Sequence, residues 1–92
     1  MELINLKEEK FTQYFIILDT FSILFKVEAF LKKLEYAYTI GPAPRELCTS
    51  CKIAIRVEVK SDVNTNGIYI LKIIKGISVY NKIGDEYKLL FN

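Results

Sequence analysis

The chain contains no histidine and no tryptophan among its 92 residues. Without histidine, Ser-His-Asp and Cys-His catalysis are excluded, and so is the commonest side-chain ligand of zinc. Cysteine is scarce: Cys48 and Cys51 stand in one short stretch. A secreted disulfide framework would spread its cysteines across the fold, so reduced thiols and a cytoplasmic setting are expected. Charge of one sign is also in short supply. The net charge is +2 and the lysines are dispersed along the chain, whereas nucleic-acid binding calls for a dense basic face. Long apolar runs are missing too. The run Phe15-Ile16-Ile17-Leu18 stops at Asp19, far short of a bilayer span. Residues 1–10 carry Glu and Lys instead of the small residues of a cleavage site, so no signal peptide is read there.

What is present describes a folded domain. Hydrophobic residues make up 51% and charged residues 26%, a balance that supports a core. At 92 residues the chain reads as a leader over residues 1–11 and a single α+β domain over residues 12–92.

Residues 12–18 read as a strand. Tyr14, Phe15, Ile16 and Ile17 form a nearly unbroken apolar, β-favouring run, as in a central strand covered on at least one face. Asp19, Thr20 or Ser22 can then cap a helix over residues 21–35. Ile23, Val27, Phe30 and Leu34 share one face of it, widened by Leu24 and Leu31. Phe25 is the misfit, and Lys32 and Lys33 suit the negative end of the helix. Residues 36–40 return to β-type composition. From Ile53 to Lys60 apolar and charged residues alternate: Ile53, Ile55, Val57 and Val59 point one way, Arg56, Glu58 and Lys60 the other.

A second helix over residues 62–75 has the weaker pattern. Asn64, Thr65, Asn66 and Gly67 are poor helix formers, but Val63, Gly67, Ile70 or Leu71, and Ile74 form a face, and Gly76 stands where a glycine stop belongs. A strand over residues 77–83 comes next. After the Gly84-Asp85 turn or bulge, residues 87–91 either continue that strand or pair back onto it. The order β-α-β-β-α-β predicts a ferredoxin-like split βαβ fold, a four-stranded antiparallel sheet with both helices on one face. Tyr69, Tyr80 and Tyr87 read as packing residues in this scheme, not as a base-stacking platform.

Between the two halves lies Gly41-Pro42-Ala43-Pro44-Arg45-Glu46-Leu47-Cys48-Thr49-Ser50-Cys51-Lys52, which holds both prolines and both cysteines. Here the sequence resembles the selenium/sulfur carrier protein-like family of small bacterial proteins. The resemblance rests on Pro42-x-Pro44-Arg45-Glu46-Leu47-x-x-x-Cys51-x-x-Ala54-Ile55-Arg56, with Asp19-Thr20 and Glu28 also at matching positions, and extends over about residues 14–79. Cys51 falls on the family cysteine. Cys48 replaces a common serine, and Lys52 replaces the usual glycine.

The resemblance implies that Cys51 holds a terminal sulfur or selenium atom. A thiolate suited to that task is favoured by nearby cations, and Arg45 and Lys52 are the candidates for stabilising the charge. Cys48 is the candidate resolving thiol. Gly41, Pro42 and Pro44 shape the approach, the prolines by fixing φ. The partners implied are a sulfur or selenium donor enzyme and an acceptor protein; self-association is compatible with the fold. No cofactor and no metal are expected, because two thiols without histidine fall short of a four-ligand zinc or iron–sulfur site in one chain. Two other readings stand beside this one. One is a non-catalytic module binding a small ligand or a protein. The other is thiol–disulfide exchange by Cys48 and Cys51, although the usual Cys-x-x-Cys motif opens a helix and this one precedes a strand.

Overall fold

The computed structural model describes residues 11–47, 53–60 and 66–92. Its described residues form an α+β fold with an antiparallel five-stranded sheet and two helices. The strands are β1 (Phe11–Leu18), β2 (Ala37–Pro42), β3 (Ile53–Lys60), β4 (Ile77–Ile83) and β5 (Glu86–Phe91). The helices are α1 (Leu24–Lys33) and α2 (Asn66–Tyr69). The sheet order is β2-β3-β1-β4-β5. The four strands expected from the sequence are therefore five, and the element order gains a strand at its end. The added strand is residues 86–91, which pair back onto β4 through the two-residue loop Gly84-Asp85. Gly84 has φ +60, the left-handed value that the first loop residue of such a hairpin needs.

β1 occupies the middle, hydrogen-bonded to β3 on one side and β4 on the other. Tyr14 to Leu18 are all buried, as the continuous apolar run predicts for a central strand covered on at least one face. β3 alternates as expected, with Ile55, Val57 and Val59 buried and Arg56, Glu58 and Lys60 exposed.

The core lies on one face of the sheet. Tyr14, Ile16, Leu18, Ile55, Val57, Val59, Ile77 and Val79 meet Leu24, Val27 and Leu31 of α1 and Ile68, Leu71 and Ile74 from the second helical segment. The first helix opens with a 3₁₀ turn over Phe21–Ile23. Its inward face lies within the expected one: Leu24, Val27 and Leu31 are buried, with Ile23 and Phe30 at the margin. Phe25, the misfit, is 69% exposed. Thr20 takes the N-cap position, yet its hydroxyl meets the Ser22 hydroxyl at 3.1 Å instead of a backbone N–H.

α1 ends in a Schellman arrangement. The Tyr36 N–H donates to the Leu31 carbonyl and the Glu35 N–H to that of Lys32, both at 3.1 Å. Glu35 holds the left-handed position at φ +61, where glycine is usual.

Of the second helix expected over residues 62–75, residues 62–65 lie outside the described residues; the described part is one α turn over Asn66–Tyr69 followed by a 3₁₀ turn over Ile70–Ile73. Gly67 permits a close approach here, since a Cβ on it would stand 2.8 Å from the Tyr36 hydroxyl and 3.1 Å from Leu34. Burial, then the neighbouring Tyr14, push Tyr36 above the ordinary tyrosine pKa of 10.0. The segment ends earlier than the glycine stop expected at Gly76, at Ile74, whose backbone is extended; Gly76 lies in the turn before β4 at φ +89, where a Cβ would come within 2.5 Å of Ile23. The Gly76 carbonyl also accepts from the Asp19 N–H at 2.9 Å, joining this turn to the end of β1.

Candidate functional site

Side chains alternate across a strand, so residues left off the helix-covered face stand on the other one. Cross-strand register sorts them into rows. Gly41, Ala54, Ile17 and Ser78 form one row across β2, β3, β1 and β4. Thr39, Arg56, Phe15, Tyr80 and Leu89 form the next, reaching β5. Phe15, Ile17 and Ala54 are buried although they stand outside the helix-side core. The Phe15 ring is held edge-on by Tyr87, with centroids 5.3 Å apart, a favourable aromatic geometry.

At the β2–β3 end of this face the small residues leave a cleft of about 150 Å³, lined by Phe15, Thr39, Gly41, Pro42, Ala54 and Arg56. A Cβ built on Gly41 meets nothing within 4 Å, so the hollow is open above that residue. Arg56 contributes a cation. The next acidic residue on its side of β3, Glu58, accepts a hydrogen bond from the Gln13 amide at 3.0 Å. Among the described residues no carboxylate pairs with Arg56.

The predicted site residues fall around this cleft to different degrees. Gly41 and Pro42 close β2, opposite Ala54 and Ile53, and both line the hollow. Pro44 opens a turn closed by the Leu47 N–H donating to its carbonyl at 3.0 Å. That turn displays Arg45 and Glu46 in solvent. Cys48, Cys51 and Lys52 lie outside the described residues. Sequence reasoning missed Thr39 and Phe15 as lining residues; it had Ala54 and Arg56 as members of the family signature, and Arg56 as the outward position of an alternating strand. Alternation along β3 did carry a signal for Arg56; its neighbours come from other strands and become visible with the register.

Glu28, which stands at a family-matching position, spans helix and edge strand. Its carboxylate accepts from the Tyr38 hydroxyl at 2.8 Å. That bond, followed by burial and the carboxylate's charge, raises the Tyr38 pKa above 10.0. Among the described residues, no three His, Cys, Asp or Glu side chains are grouped to hold a metal. No described helix is long and apolar enough to cross a membrane.

The class defined so far is an α+β domain whose β2–β3 connection carries a Pro-x-Pro-Arg turn beside a small cationic cleft. The chain belongs to the family described as "Putative Se/S carrier protein-like", which matches residues 13–75. The match runs from β1 through the second helical segment and leaves β4 and β5 outside it. No curated protein and no solved structure matches the chain.

Proposed function

We propose that this protein is a sulfur or selenium carrier that holds the transferred atom on Cys51. The observation that carries this reading is the family match, whose span includes the whole Pro42-to-Cys51 segment. The turn that exposes Arg45 supports it by placing a cation in the same connection. In the sequence Cys51 stands two residues before Ile53, the first residue of β3.

In the loading step the Cys51 thiolate attacks the terminal sulfur of a donor enzyme's persulfide. The donor S–S bond breaks, a new one forms on Cys51, and the donor cysteine leaves as a thiolate. Delivery occurs when an acceptor nucleophile takes the terminal atom and Cys51 departs as thiolate. Attack by Cys48 on the Cys51 sulfur gives a second exit: a Cys48–Cys51 disulfide forms and hydrosulfide or hydroselenide is expelled. A dithiol reductant then returns both cysteines to thiols.

The test is mass spectrometry after incubation with a cysteine desulfurase and free cysteine. The expected result is a sulfur-sized, reductant-labile increment on Cys51, absent from Cys51→Ser and longer-lived in Cys48→Ser. No increment on a Cys51 that an alkylating reagent still labels would overturn the proposal.

A further inference from the structure

The cleft contains chemistry that thiol transfer does not use. One wall is Arg56, whose guanidinium presents a planar fork of donors. Thr39, its cross-strand neighbour, adds a hydroxyl, and Phe15, the neighbour on the other side, adds an aromatic wall. The floor is Gly41 and Ala54. No acidic side chain lines the hollow among the described residues, and Gln13 engages Glu58, the nearest carboxylate along β3.

Size limits the occupant. A volume of about 150 Å³ in a cleft open above Gly41 suits a small molecule. Composition limits it further. A bare inorganic oxyanion stays hydrated and gains nothing from Phe15, Pro42 or Ala54. A carboxylate on a short aliphatic stem uses both parts, the fork and hydroxyl for its oxygens and the apolar walls for its carbons.

We infer that this cleft binds a small organic carboxylate through Arg56 and Thr39. The inference is independent of the thiol reading, since none of its residues is a cysteine, and the two fail separately.

The experiment is amide chemical-shift titration of the full chain with sodium propionate. Propionamide serves as the uncharged isostere and sodium sulfate as the inorganic anion at matched ionic strength. Saturable shifts are expected for Thr39, Gly41, Ala54 and Arg56 with propionate alone. Arg56→Gln, an exposed substitution, is expected to weaken binding about ten- to a hundredfold, the loss of a charge-assisted hydrogen bond. Gly41→Val, which fills open space, is expected to abolish it while the β4 and β5 resonances stay in place. Linear unsaturable shifts, an equal response to propionamide, equal affinity for sulfate, or unchanged affinity in Arg56→Gln would each overturn the inference.

Discussion

Glu35 offers a prediction whose size comes from the backbone alone. It occupies the left-handed position that ends α1, at φ +61, and its side chain is exposed. An L-residue held there costs about 1–2 kcal/mol. Glycine removes that cost but returns about 0.4–1 kcal/mol through the greater freedom of the unfolded chain. Glu35→Gly is therefore expected to stabilise the protein by up to about 1.6 kcal/mol, with about 0.8 kcal/mol from the central values of those terms. At that central value a domain of this length gains about 3–6 °C in Tm. Glu35→Ala is the control, because it removes the same side chain and keeps the left-handed strain. The assay is thermal and urea unfolding followed by circular dichroism, with the urea slope checked for constancy. The reasoning fails if Glu35→Gly is no more stable than Glu35→Ala. In that case the side chain, not the backbone, governs this helix end.

Glycine strain and the tyrosine–carboxylate pair give two more expected outcomes. Gly76 and Gly84 both have positive φ, but a Cβ on Gly76 meets Ile23 at 2.5 Å while one on Gly84 meets nothing within 4 Å. Gly84→Ala should cost up to about 1.6 kcal/mol, the left-handed strain less the about 0.4–1 kcal/mol gained from a stiffer unfolded chain. Gly76→Ala should cost clearly more in the same unfolding experiment, and equal losses would refute the close approach. Tyr38 should titrate above 10.0 because of its bond to Glu28. A folded-state pKa raised in this way stabilises fully below the unfolded value and is lost as pH rises through the folded value. The contribution of the pair is thus expected to be constant at neutral pH and to vanish in alkali. Glu28→Gln should bring the Tyr38 transition down in an ultraviolet titration; an unmoved transition would remove the pair from the account.

The parts of the fold that could be read in advance are those where local pattern and tertiary setting agree. The run Tyr14 to Leu18 is apolar throughout and lies at the centre of the sheet. Ile53 to Lys60 alternates in sequence and in burial. Gly76 has the positive φ expected of it, although the helical segment has already ended at Ile74. Disagreement arises where short-range rules compete. The first turn of the helix, Phe21–Ile23, winds as 3₁₀, a choice periodicity alone does not reveal. β5 was ambiguous because Gly84-Asp85 reads equally as a bulge or a hairpin loop until its two-residue length is weighed against the strands it joins. The cleft was the least legible feature. Phe15, Thr39 and Arg56 are far apart in the chain, and only the pairing of β2, β3 and β1 makes them neighbours.

The family match and the folding unit do not coincide, and the cleft shows why that matters. The match ends at residue 75, before β4 begins at Ile77. Yet β4 is one of the two neighbours of β1, and Ile77 and Val79 belong to the helix-side core. β5 in turn supplies Tyr87, whose ring stands edge-on to Phe15. Phe91, also on β5, packs against Tyr69 at 5.7 Å, with Lys72 over both rings. The segment beyond the match therefore secures both faces of the sheet: it packs against the described part of the second helical segment on one side and against the Phe15 wall of the cleft on the other. The matched stretch carries the residues proposed to act, while the strands after it hold the surface on which they are arranged.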